Sequence, residues 1–207
     1  MTFTHPDGTP IDYRHSNTWF AQHHKNNWEK VISPLASSIS KYLEIGVCEG
    51  SSMLWVLTNL KPDKAYGVDP WAPRSTRRRS VEKFKQQANE AYNNAHHNLK
   101  WWIDRGIVSL LRTTSFDALV NPSFKDGEFD LIYVDGDHEA LPALTDMVLA
   151  WRKLAMGGIM VLDDYNRRWL HGKPKSKEAI DAFLMACESR YKFLYRGDRQ
   201  QIIQRTK

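Results

Sequence analysis

Phe129-Asp130-Leu131-Ile132-Tyr133-Val134-Asp135-Gly136-Asp137-His138 is the stretch that decides the fold. A short apolar run, rich in aromatic and branched side chains and ending on a carboxylate, reads as a strand buried on both faces. Working outward, the same alternation of short strand and helix recurs on either side. Upstream lie a strand at Tyr42 to Val47, a helix at Ser51 to Leu60 and a second strand at Ala65 to Asp69. A long polar helical segment over 75–97, a third strand at Ile107 to Leu111 and a short helix at Phe116 to Val120 complete that side. Downstream, a helix from about Ala140 to Leu154 turns Leu144, Val148 and Trp151 inward, and Gly157-Gly158 punctuates the chain before a fifth strand, Ile159 to Asp163. A last helix places Ile180, Phe183, Leu184 and Cys187 on one face. Strands at Tyr191 to Tyr195 and Gln200 to Gln204 then close the chain through a turn at 196–199. Strands alternating with helices predict an α/β fold, doubly wound, with a mostly parallel seven-stranded sheet and a C-terminal antiparallel hairpin.

Length and composition agree with a single domain over 1–207. The chain has 207 residues, 42% hydrophobic and 26% charged, near the average for globular chains. The first 24 residues read as an irregular arm, followed by a helix with Trp28, Val31, Ile32 and Leu35 on one face and Pro34 inside it. The longest run free of Asp, Glu, Lys and Arg is Gly50 to Leu60, too short for a membrane span of roughly 18 residues. No basic-then-apolar leader opens the sequence, and two distant cysteines, Cys48 and Cys187, supply no disulfide framework. A cytoplasmic, soluble protein is expected, with no membrane partner. Net charge is +5 and unevenly spread: segment 71–106 carries +5, segment 165–207 carries +7, and the remainder is acidic.

In sheets of this kind ligands bind beyond the carboxyl ends of the strands. Four strand ends carry suitable groups. Glu44-Ile45-Gly46-Val47-Cys48-Glu49-Gly50-Ser51-Ser52 passes from strand to helix through glycines that let a ligand approach the backbone. Asp69 can accept hydrogen bonds from both hydroxyls of a ribose, and the glycines do not spell a dinucleotide pattern. Asp135 and Asp163-Asp164 end adjacent strands, so three carboxylates converge; a hard divalent cation such as Mg²⁺ would relieve their repulsion. Helix capping by Asp137 or Asp164 is the plainer alternative. His138, three residues past Asp135, suits a general base, with Asp137 as its competitor. The pairs His23-His24 and His96-His97 read as surface residues, and Cys48 as a small packing residue.

Taken in order, Glu44-Ile-Gly46-x-x-x-Gly50-x-Ser52, Gly67-Val-Asp69, the Asp135-Gly-Asp137-His138 strand end and Gly157-Gly-Ile-Met-Val-Leu-Asp163-Asp164-Tyr165 resemble the class I S-adenosylmethionine-dependent methyltransferases. The nearest look is to metal-dependent small-molecule O-methyltransferases of the macrocin and catechol type. The resemblance implies a Rossmann-like sheet and the cofactor S-adenosylmethionine. It puts the methionine moiety at Gly46, Gly50 and Ser52 near Glu44, the ribose on Asp69, Trp71 close by and the adenine near Ser115. It also implies Mg²⁺ or another divalent cation on Asp135, Asp163 and Asp164, with His138 or Asp137 taking the proton of a hydroxyl on a sugar, polyol or phenol. The basic insert 71–106 is a candidate lid, with Trp71, Trp101 or Trp102 shielding the site. Its Arg77, Arg78 and Arg79 would hold a carboxylate or phosphate if the acceptor is anionic.

Other classes compete. A base-modifying nucleic-acid enzyme would resemble its class in an Asn/Asp-Pro-Pro-aromatic motif where this chain has Asp135-Gly-Asp-His, which argues against nucleic acid. A nicotinamide dehydrogenase lacks its Tyr-x-x-x-Lys pair here. An iron-dependent hydroxylase-like relative and a cofactor-binding module without turnover stay open, as does assembly into a homo-oligomer.

Overall fold

A computed structural model describes residues 3–72, 81–166 and 175–207. Seven strands form one sheet: β1 (Lys41–Ile45), β2 (Lys64–Val68), β3 (Val108–Leu111), β4 (Phe129–Val134), β5 (Leu154–Leu162), β6 (Tyr191–Arg196) and β7 (Gln201–Arg205). Their order is β3-β2-β1-β4-β5-β7-β6, parallel from β3 to β5 and antiparallel through β7 and β6. Order reverses at β1, which pairs with β2 on one side and β4 on the other, opening a crevice beyond their carboxyl ends.

Helices cover both faces. They are α1 (Trp19–His23), α2 (Lys25–Val31), α3 (Ser51–Asn59), α4 (Val81–Asp104), α5 (Ser115–Val120), α6 (Ala140–Lys153) and α7 (Lys175–Ala186). One core layer joins Trp28, Ile32, Trp55, Leu99 and Trp102 to Tyr42 and Tyr133 of the sheet. The other packs Met147, Ala150 and Phe183 on Ile45, Ile132 and Met160. Among the described residues no helix is long and apolar enough to cross a membrane.

Several elements differ from the sequence reading. The helix expected through Leu35 stops at Val31, and Pro34 opens a separate 3-10 helix, Ser33–Ser38, because its ring has no N–H to continue an α-helix. On α6 the buried face is Ala143, Met147, Ala150 and Trp151, while Val148 is 47% exposed. β5 starts at Leu154, ahead of the glycine pair, which sits where the pairing with β4 slips. The helical insert is one helix running on to Asp104, and its second half is core, with Ala95, Leu99 and Trp102 buried. Trp102 accepts from the N–H of Ile107, just ahead of β3, so Trp101 and Trp102 stand at the end of the sheet opposite the crevice and shield nothing there. Arg74, Arg77, Arg78 and Arg79 lie outside the described residues.

Candidate functional site

The crevice is built on a contact between two turns. Gly46 continues β1 with its N–H on Val68 O and a φ of +90°. A Cβ there would lie 2.0 Å from the carbonyl oxygen of Asp135, so only glycine fits. The chain then turns through Cys48 and Gly50, both at positive φ, into α3, whose first residue follows a glycine with no side-chain cap. An uncapped helix N-terminus at a strand switch point is suited to an anionic group.

Beneath this loop lies Glu44, fully buried. Its carboxyl accepts from Tyr42 Oη at 2.8 Å and from Ser52 Oγ. Burial raises its pKa to about 8, against the lowering effect of those two hydroxyls. Glu44 therefore supports α3 from below through Ser52. Asp69, half-buried at the end of β2, accepts from the N–H of Cys48 at 2.9 Å and of Trp71 at 2.7 Å. The Trp71 ring is buried against Tyr92 and donates from Nε1 to Cys48 O at 2.8 Å, propping the loop from behind. Cys48 is exposed, not packed. Ser115 donates to Asp146 Oδ1 at 2.5 Å, and Asp146 Oδ2 abuts Gly136, so Ser115 meets the turn after β4 through a buried carboxyl. Burial raises that carboxyl to about 6, with Asp137 adding to it and Ser115 opposing.

The acidic strand ends divide. Among the described residues, Asp135, His138 and Asp164 offer ligand atoms within 4.8 Å of one another, a group able to hold a metal ion. His138 Nδ1 lies 3.2 Å from Asp164 Oδ2. Asp163, expected in the group, faces inward. Its Oδ1 accepts the Asp164 N–H at 2.7 Å, and its Oδ2 takes the Tyr133 hydroxyl and lies 3.4 Å from His24 Nε2. Asp164, which meets His138, has a left-handed backbone with a φ of +57°. Burial, then the charges of Asp163 and Asp164, hold the Asp135 carboxyl well above its usual range. Burial and Asp164 raise Asp163 to about 7. Asp137 is exposed and caps the following turn, accepting from Glu139 N–H at 2.8 Å.

The structure also recruits residues that the sequence reading left out. His24 is buried, not on the surface; Phe20, His24 and Trp28 recur every four residues, a stripe that places His24 on the inner face of α1 and α2. Glu49 is buried beside the loop and bonded to the N-terminal arm. No spacing rule marks it.

A sheet of this order, with a glycine turn after β1, an acid after β2 and acids after β4 and β5, defines a nucleoside-cofactor α/β enzyme. The family model described as a methyltransferase domain matches residues 43–165, and the chain belongs to that family, the class I S-adenosylmethionine-dependent methyltransferases. An uncharacterized protein, R132, of Acanthamoeba polyphaga mimivirus is 28% identical over 169 residues, covering 79% of this chain and 71% of that protein. Among solved structures, an O-methyltransferase from Bacillus cereus in complex with S-adenosylhomocysteine superposes with a TM-score of 0.63 at 17% identity, covering 95% of this chain and 84% of that one. The N-methyltransferase NodS of Bradyrhizobium japonicum, also with S-adenosylhomocysteine, gives 0.57 at 17% identity over 93% and 94%.

Proposed function

We infer that the protein transfers the methyl group of S-adenosylmethionine to a hydroxyl of a small molecule, with a divalent cation of the Mg²⁺ type at Asp135, His138 and Asp164. The observation that carries this reading is the convergence of those three side chains beside the Gly46 turn. Two carboxylates and one imidazole fit a hard cation better than the two imidazoles and one carboxylate of an iron oxygenase. When bound, the cofactor supplies an electrophilic methyl group and the cation lowers the pKa of a hydroxyl.

The remaining work falls to the chain. Gly46 and the open end of α3 receive the carboxylate end of the cofactor, Asp69 its ribose, and Ser115 with Asp146 the adenine edge. With His138 committed beside Asp164, Asp137 is the exposed base that removes the hydroxyl proton. Holding donor and acceptor in line accounts for roughly 7–11 kcal/mol of barrier. The acceptor is a sugar, polyol or phenol, and the protein works in the cytoplasm without nucleic acid. Calorimetric titration of metal-stripped protein with S-adenosylhomocysteine, with and without Mg²⁺, tests the reading. One-to-one binding lost in Asp69→Ala is expected, and no binding under either condition would refute it.

A further inference from the structure

Residues 12–17 lie between α4 and the loop joining β1 to α3 and are bonded to both. The Arg14 N–H donates to Asn98 Oδ1 at 2.8 Å, while Asn98 Nδ2 donates to Arg14 O at 2.8 Å and to Glu49 O at 2.9 Å. Glu49 Oε2 accepts from Ser16 N–H at 2.7 Å, Ser16 Oγ at 3.1 Å and Asn17 Nδ2 at 3.4 Å, and its Oε1 accepts from Asn94 Nδ2 at 2.9 Å. Tyr13 Oη meets Ser51 Oγ at the start of α3. Glu49 is 4% exposed and Asn98 fully buried. A buried carboxylate held by neutral donors is costly once those donors leave, so the burial of Glu49 and the order of the strap stand or fall together.

Two residues past Asn17 the chain enters α1. Trp19, His23 and His24 line a cavity of about 530 Å³ together with Asp164, Asn166, Asp198 and Arg199. The same segment is thus bonded to the cofactor loop at one end and lines the space beside the metal group at the other. We propose that Glu49 is a positioning residue: its carboxylate seats residues 12–17 on the cofactor loop and so sets α1 as the acceptor-facing wall, which makes filling of the cofactor site fix that wall. This rests on the methyltransferase reading above. Such coupling is reciprocal, so loosening the strap weakens cofactor binding by the factor that binding tightens the strap.

Hydrogen exchange of the full chain with Mg²⁺, with and without S-adenosylhomocysteine, reads both sides. In the unmodified protein the ligand slows exchange across residues 12–24 by about tenfold, within the usual range of coupling between sites. Ser16→Pro removes the N–H and the hydroxyl from an exposed residue; it abolishes the slowing and weakens S-adenosylhomocysteine by about tenfold. Ser16→Ala/Asn17→Ala, which spares the backbone, moves both readouts the same way by less. Glu49→Ala, which removes both acceptor oxygens, moves the two readouts as Ser16→Pro does, and Glu49→Gln, which keeps one oxygen for Ser16, restores part of each. A strap that is merely structural would lower the melting temperature of these variants and leave the affinity alone. Ligand binding with no change in exchange over 12–24 overturns the proposal, as does unaltered affinity in both strap variants. Failure of the unmodified protein to bind refutes the methyltransferase reading itself, before any variant is compared.

Discussion

A single methyl group at position 46 would collide with the Asp135 carbonyl, and the φ of +90° there already disfavours any side chain. Gly46→Ala is expected to cost about 4 kcal/mol or more, measured by denaturant unfolding, because strand-end backbone has no flexible atom to yield. Glu44 makes a different kind of prediction. Its folded pKa of about 8 stands above the ordinary 4.5, so the folded state keeps a proton that the unfolded chain releases. That contribution is complete below about pH 4.5 and is lost as pH rises through about 8. Glu44→Gln, which keeps an oxygen for one of the two hydroxyls and offers an N–H to the other, should therefore gain melting temperature over the unmodified protein progressively from pH 5 to pH 8. Asp146 and Asp163 titrate in the same window but are common to both proteins, so they cancel in the difference. A difference that stays constant with pH would contradict the assignment. At this scale the sequence revealed residue types and order, since strands ending on acids are visible in the pattern. It could not reveal that Asp163 pairs with Tyr133 and His24 while Asp164, equally buried, meets His138, because two neighbouring aspartates read alike in a pattern.

Among the elements, α4 shows how a polar sequence conceals a structural role. Its many charges made it look like a detachable cover, yet Ala95, Leu99 and Trp102 lie four and three residues apart and form a buried stripe. Leu99→Ala should cost about 2–5 kcal/mol in a thermal or denaturant melt, and Lys100→Ala, next along the helix, within about 0.5 kcal/mol. The stripe was readable in principle; the direction of α4, which carries its tryptophans away from the crevice, follows only from the sheet order. Strands β1 to β4 were legible because short apolar runs between helices leave few other readings. The edges of β5 were not, since two glycines inside a strand look like its end and here accompany a slip in pairing.

For the molecule as a whole, both ligands should report as stability. Mg²⁺ should raise the melting temperature more at pH 8 than at pH 6, because Asp135 must lose its proton before it can bind, and Asp164→Asn should erase the increment. S-adenosylhomocysteine at a hundred times its dissociation constant should add about 2.7 kcal/mol in a chemical melt, and an unaltered midpoint would deny a preformed site. Sheet order has a further consequence, for synthesis. β7 is inserted between β5 and β6, so the free edge of β5 stays open on a nascent chain until residues 201–205 have left the ribosome. The cavity wall from Trp19 must likewise wait for its counterpart at Arg199. A half-made chain would thus hold its glycine turn and acids in sequence but no finished place to use them, and its dependence on chaperones should peak just before that last strand emerges.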